Sequence, residues 1–193
     1  MIKKKIFILL GNSDKDTNCG HFADTYEAGA ISAGHEVKRL NIGDLQFDPI
    51  LHKGYKEIQA LEPDLIKVQE AIKWSDHFVL FYPMWWSSMP AILKGMFDRM
   101  WIPKFAFHFH HSGMGWDKLL TGRSAHVFIT MDSWPIISRF MFGDSTNEIG
   151  RAILGFSGMH PVHIKKIGPM KNMKPAEIES WKKQMSEYGK YGI

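Results

Sequence analysis

The sequence predicts an α/β protein: an open parallel sheet of five strands with helices on both faces. Three observations carry this. Residues 6–10 and 78–82 are short, unbroken apolar runs, which suit strands buried on both faces beneath covering helices. Segments with helical spacing of apolar residues alternate with five strand candidates. No internal repeat or low-complexity tract interrupts the 193 residues, a length that suits one domain with its own core, residues 1–193.

In order, the first run ends at Gly11 and a polar stretch to Gly20 follows. Over residues 17–34 the pattern turns helical, with Phe22, Tyr26 and Ala30 on one side and Gly34 as the stop. Residues 35–42 alternate like a half-exposed strand and complete a βαβ unit. A long connection spans 43–62, and residues 63–74 form a helix with Leu65, Ile66, Val68 and Ile72 as candidate buried positions. Pro83 ends the run 78–82, and two adjacent tryptophans follow in loop position. Ser87 or Ser88 is placed to cap the next helix, with Pro90 near its first position, where a missing N–H costs little. Ile92, Leu93, Met96, Phe97 and Met100 give that helix an apolar stripe. A second insertion covers 102–123. Residues 125–130 read as the fourth strand, 146–156 as a helix, 162–167 as an edge strand of mixed polarity, and 175–188 as a Lys-rich closing helix.

Composition narrows the function. The chain is 45% hydrophobic and 23% charged, ordinary for a folded protein. Its formal charge of +4 belongs to residues 161–193, which hold seven Lys against three Glu. An excess confined to one C-terminal segment argues against nucleic-acid binding, which wants basic residues interleaved with aromatics along one surface. With Cys19 as its single cysteine, the chain has no disulfide framework or Cys-based metal cluster. The apolar run after Lys3, Lys4 and Lys5 is too short for a signal peptide, and no run reaches membrane-spanning length. The expectation is a cytoplasmic protein without membrane insertion. Seven Trp and thirteen Phe exceed what such a core needs, which hints at a flat ligand or an aromatic interface.

Two loops carry the chemistry. Residues 11–20 join a buried strand to a helix start, and their hydroxyls, small side chains and N–H groups suit a phosphate. Both G-x-G-x-x-G and G-x-x-x-x-G-K-[ST] are absent, which argues against a Rossmann dehydrogenase and a P-loop nucleotidase. Pro83, Met84, Trp85 and Trp86 offer rings for a planar ligand and N–H groups for its edge. Taken singly, the loops are a capped polar turn and a tryptophan pair filling a core or an interface. On one edge of one sheet, where open α/β sheets bind ligands, they make the pattern of a mononucleotide flavin site.

Residues 82–99, Tyr-Pro-Met-Trp-Trp-Ser-Ser-Met-Pro-Ala-Ile-Leu-Lys-Gly-Met-Phe-Asp-Arg, resemble the F-P-x-W-W-x-x-x-P-A-x-L-K-G-x-x-D-R motif of the flavodoxin-like NAD(P)H:quinone oxidoreductases, the DT-diaphorase group. Gly34-His35-Glu36-Val37 is similar to their G-H-E-V, and Phe105-Ala106-Phe107 to their F-A-Y. The resemblance implies a flavodoxin-like fold with strand order 2-1-3-4-5 and a homodimer. It also implies ping-pong hydride transfer from NAD(P)H, through a bound flavin, to a quinone-like acceptor. The expected cofactor is FMN, with FAD as the alternative. Asn12, Ser13, Thr17, Asn18 and Cys19 would hold its phosphate. Pro83, Met84, Trp85, Trp86, Thr130, Met131, Asp132 and Ser133 would hold its ring, with Trp85 the ring neighbour and Trp86 mainly packing. Phe107, Phe109 and Trp134 would line the substrate side. The chemistry would be the cofactor's, so no catalytic acid or base is nominated. The chain departs from the pattern at Asn18-Cys19, where many members have Phe-Asn, and at Phe107 and Phe109, where tyrosines are common. Thr130-Met131-Asp132-Ser133 stands in place of T-T-G-G.

Other chemistries are weaker. His108, His110 and His111 invite a metal, but no carboxylate lies close in sequence to complete a site, and none is expected. Cys19 at a helix start would favour a thiolate, although a small residue beside a phosphate explains it more simply. Ser157 in Gly155-Phe156-Ser157-Gly158 fails the G-x-S-x-G elbow. A flavodoxin-type electron carrier and a flavin-binding ancillary subunit of a larger system share the expected fold. The insertions at 43–62 and 102–123 favour the enzyme, since a carrier has less use for a walled pocket.

Overall fold

A computed structural model describes residues 2–110 and 113–193. In chain order the elements begin with β1 (Lys5–Leu10), α1 (Asn18–Ser32), β2 (Glu36–Asn41), α2 (Pro63–Trp74), β3 (His77–Pro83) and α3 (Ala91–Met100). A hairpin of β4 (Phe107–Phe109) and β5 (Trp116–Lys118) follows, then β6 (Ser124–Thr130) and α4 (Pro135–Phe142). A π-helical segment Glu148–Gly155, β7 (Val162–Ile167) and α5 (Pro175–Tyr191) complete the order. Five strands form one parallel sheet in the order β2-β1-β3-β6-β7. With the hairpin set aside, this is the 2-1-3-4-5 arrangement of a flavodoxin-like fold.

The apolar runs are strands for the reason they suggested. Both faces of β1, β3 and β6 are covered. Phe7, Leu9, Phe78 and Leu80 meet side chains of α2 and α3, while Ile6, Ile8, Val79 and Phe81 meet α1 and the closing helix. Helices α1 and α5 pack closely because glycines face the contact: a Cβ on Gly29 would lie 2.3 Å from the Ser186 carbonyl oxygen, and one on Gly189 2.1 Å from that of Tyr26. The edge strand β7 is only partly buried, as its mixed polarity predicts.

Several expectations need correction. No hydroxyl caps α3: Pro90 precedes its first residue, and Ser87 and Ser88 belong to a tight turn before it. Ile66 is exposed, and Ala71 takes the fourth buried position of α2. The helix expected over 146–156 is present as a π-helical segment, Glu148–Gly155. The helix α4 was not anticipated, because Ser138 is its only buried residue while Ile136, Phe140 and Met141 face outward. Much of the second insertion is the β4–β5 hairpin, with Trp116 stacked on Phe156 at 4.4 Å between ring centroids.

The first insertion is pinned by Arg99, whose side chain is fully buried. Its guanidinium donates to the Glu62 carboxylate at 3.1 and 2.9 Å, to the Ala60 carbonyl at 2.7 Å and to the Asp48 carbonyl. Gly95 lets the same insertion come close, since a Cβ there would sit 2.4 Å from the Pro49 carbonyl oxygen. Among the described residues, no helix is long and apolar enough to cross a membrane.

Candidate functional site

A cleft of about 380 Å³ opens at the carboxyl ends of β1, β3 and β6, within the size range of small-molecule sites. It brings together Asn12, Ser13, Thr17, Asn18 and Cys19 from the first loop, Pro83, Met84 and Trp85 from the second, and Thr130, Met131 and Asp132 from the third. Asp14 and Met170 join them. Trp86, Ser133, Phe107, Phe109 and Trp134 are not part of this lining.

The first loop folds back on itself through short polar links. Thr17 is the N-cap of α1 and accepts from the Gly20 amide at 3.3 Å and from Asn12 Nδ2 at 3.1 Å. Asn12 Oδ1 accepts from the Asp14 amide at 3.4 Å, and Asp14 Oδ1 from the Asp16 amide at 2.9 Å, the side-chain-to-backbone turns favoured by Asn and Asp. Two glycines outside the cleft set the loop's path. A Cβ on Gly20 would lie 2.0 Å from the Lys15 carbonyl oxygen, and one on Gly43 2.1 Å from that of Ser13. The N-terminal end of α1, with its positive dipole end, lies at the cleft and suits an anion.

Cys19 sits one residue inside that helix, where the dipole favours a thiolate. Burial opposes this and wins. The thiol is 3% exposed, and its pKa is pushed up to about 12, against smaller downward pulls from the Thr130 hydrogen bond and the Arg39 charge. The nucleophile alternative fails on this ground.

At the second loop the Met84 amide donates to the Thr130 carbonyl at 2.7 Å and the Trp85 amide to the Ser88 carbonyl at 2.9 Å. Two amides expected at a ligand's edge are thus used within the protein. The Ser88 amide returns a bond to the Trp85 carbonyl at 3.0 Å, closing a two-residue turn. Trp86 at φ +50° and Ser87 at φ +61° occupy it in the left-handed region, which L-residues rarely adopt. The turn leaves Trp85 half exposed beside the cleft and Trp86 wholly exposed, so Trp86 does not pack into this chain's core.

The third loop shows what an acidic residue does in place of glycine. Asp132 Oδ1 accepts from the Lys171 amide at 3.2 Å, while the Met131 carbonyl accepts from the Met170 amide at 2.8 Å. Gly168 permits this approach, because a Cβ there would meet the Met131 and Ser133 carbonyl oxygens at 2.6 and 2.7 Å. Met170 reaches the cleft by this docking. It lies far from the loops in sequence and in no motif, so no local signal marked it.

Phe107 and Phe109 stand on the β4–β5 hairpin, with Phe107 packed against Phe156 at 5.2 Å. Trp134 precedes α4 and is exposed. His110 Nε2 lies 2.9 Å from Asp117 Oδ1, a hydrogen bond that raises the imidazole pKa. The hairpin brings to His110 a carboxylate that sequence proximity did not suggest. His111 lies outside the described residues. Among those described, no three His, Cys, Asp or Glu side chains are grouped to hold a metal ion.

A family described as having a flavodoxin-like fold matches residues 4–189. Ribosyldihydronicotinamide dehydrogenase [quinone] of Rattus norvegicus is 35% identical over 85 residues, covering 40% of this chain and 36% of that protein. The structure of an NAD(P)H:quinone oxidoreductase from Methanothermobacter marburgensis superposes with a TM-score of 0.82 at 21% identity, covering 100% of both chains. That of an FMN-dependent NADH-azoreductase from Bacillus anthracis str. Ames Ancestor, in complex with FMN, gives 0.68 at 19% identity, covering 98% of this chain and 99% of that one. The matched stretch spans only about a third to a half of the length of the curated relatives, 30%, 54% and 36% in the first three.

Proposed function

We infer that this chain, which belongs to the family with a flavodoxin-like fold, is a flavin-dependent NAD(P)H oxidoreductase acting on a quinone-like acceptor. The observation that carries this reading is the cleft, which sets an anion-accepting helix start beside Trp85, Met84 and Met131 on one edge of the sheet. Its residues fit a flavin: a ring system needs apolar and aromatic faces, its phosphate needs N–H donors, and both are present at one opening. FMN is favoured over FAD because the cleft has one phosphate-type loop, and the azoreductase similar in fold was solved with FMN.

Bound FMN would supply the hydride chemistry between NAD(P)H and the acceptor. The protein's residues would position the reactants. Asn12, Ser13, Thr17 and Asn18 would hold the phosphate, while Trp85 and Met84 would fix one edge of the ring. The Asp132–Lys171 contact would keep the third loop in place. The half-exposed Trp85 leaves that side of the cleft open, and the chain's own Phe107 and Phe109 are not in the lining. A homodimer in which a second copy brings its β4–β5 hairpin over the opening would reconcile the aromatic wall implied by resemblance with where these residues lie.

The test is direct. Purified protein is expected to be yellow, to release FMN on denaturation, and to oxidise NAD(P)H with a small quinone and no partner protein. Initial rates should give the parallel reciprocal plots of a ping-pong scheme. A colourless protein that fails to bind added FMN would overturn the reading; intersecting plots would overturn the shared site.

A further inference from the structure

The geometry points to a second cleft, beside the first, as the seat of a phosphate group of the reduced nicotinamide dinucleotide. This rests on the reductase reading above and says how that substrate is held. The cleft, about 400 Å³, lies between α4, the loop 143–147 and the edge strand β7. Its polar groups are Arg139, Lys166, Asp144 and Thr146, and Ile136 and Ile164 supply apolar walls.

The charges do not cancel. Lys166 Nζ stands 3.9 Å from Asp144 Oδ1 and donates to Ser145 Oγ at 3.1 Å. That same Asp144 oxygen already accepts from the Thr146 amide at 3.1 Å and the Thr146 hydroxyl at 2.5 Å. Arg139 acts on both charged groups through space. Two cations line the cleft with one carboxylate, so one positive charge is in excess. The Lys166 side chain is only 15% exposed, and burial lowers its pKa despite Asp144. An incoming anion would offset that cost.

The second cleft adjoins the first. Ser145 Oγ lies 3.7 Å from Met84 Sδ, in the wall of the first cleft, and 3.1 Å from Lys166 Nζ. Ser145 thus touches Met84 of the first cleft and Lys166 of the second, which places the two clefts side by side. Of the proposed reactants, a quinone carries no phosphate, and the flavin phosphate has its own place at the start of α1. Of the two substrates, only the dinucleotide carries phosphates in addition to its flat reacting ring. Guanidinium and ammonium groups are the usual partners of such phosphates.

Arg139 is exposed, so Arg139→Glu should fold. Steady-state rates with NADPH and NADH are expected to show KM for the dinucleotide raised about tenfold or more in Arg139→Glu. The change should fall mainly in KM rather than kcat, leave the quinone KM alone, and be largely rescued by Arg139→Lys. A loss confined to NADPH would place the 2′-phosphate here; an equal loss with both would place the pyrophosphate. Unchanged KM for both dinucleotides, or a rise only for an acidic acceptor, would overturn the proposal. Calorimetric titration of the protein with 2′,5′-ADP and with ADP, in the presence of excess FMN so that the first phosphate site is filled, keeps the two claims separable. Binding that weakens in Arg139→Glu would support the seat even in a protein without turnover, and equal binding by both proteins would count against it while leaving the reductase reading intact.

Discussion

Two neighbouring residues of the first loop show how local physics decides between chemistries. Cys19 has a helix dipole behind it and a Thr130 hydrogen bond, yet burial leaves it a neutral thiol with a pKa of about 12. At pH 8 the thiolate fraction then falls about three orders of magnitude below that of a free cysteine. A disulfide reagent such as DTNB should label Cys19 slowly in native protein and at once in guanidinium; rapid native labelling would restore the nucleophile reading. Gly20 acts through space. An alanine methyl would have to sit 2.0 Å from the Lys15 carbonyl oxygen, so either the loop 13–17 or the first turn of α1 must move. Gly20→Ala is expected to cost about 1–3 kcal/mol, as overpacking does, and to weaken FMN binding more than tenfold, read by urea midpoint and by quenching of flavin fluorescence. Unaltered affinity would mean that this loop does not hold the phosphate.

At the scale of elements, the legible parts of the sequence were those where burial is one-sided or complete. The strands β1 and β3 announced themselves because covering both faces removes polar residues from the run. The helix α4 did not, because its apolar residues face outward and its buried residue is a serine, so its apolar side is not the side packed on this chain's core. The turn Trp85–Ser88 looked like a helix cap because Ser precedes Pro90, and its left-handed pair at Trp86 and Ser87 follows no glycine signal. The motif ending in Asp98-Arg99 was recognised by resemblance, whereas its physical reason lies in a segment far away in sequence. Lys94 pairs with Asp98 on the helix surface, and Arg99 fastens the insertion 43–62. Arg99→Met should leave the Glu62 carboxylate and two carbonyls without their cation and cost about 3 kcal/mol. Limited proteolysis should then cut within 43–62 before the rest of the chain. Resistance equal to the parent protein would show that other contacts hold this segment.

Across the whole molecule the two ends of the sheet have opposite characters. The carboxyl end was legible in outline, because three loops leave three adjacent buried strands there. Asp14 belongs to the first loop already marked and was passed over within it, whereas Met170 was missed because it enters the cleft by loop docking that no spacing encodes. The amino end buries histidines instead. His77 and His126 begin or lie within central strands, 1% and 6% exposed, with His77 Nε2 and His126 Nδ1 lacking hydrogen-bond partners among the described residues. Burial lowers the His77 pKa to about 3, helped by the charges of Lys4, His126, His163 and His35. It lowers that of His126 to about 4, against an upward pull from the hydrogen bond with Ile193. Both rings are therefore neutral in the fold, while in the unfolded chain they take up a proton near the ordinary value of 6.5. Stability from these groups is complete above pH 6.5 and falls as the pH drops toward 4 and 3, by up to about 1.4 kcal/mol per pH unit for each. Asp48, Glu62 and Asp144 have lowered pKa values, so their contributions are lost only at more acidic pH. His77 and His126 together should lower the stability read by urea unfolding by about 4 kcal/mol between pH 7 and pH 5, partly offset by His110, whose raised pKa acts in the opposite sense, and His77→Asn should remove about half of the histidine contribution. Equal stability at the two pH values would mean that the amino end admits water and that these histidines titrate freely in the fold.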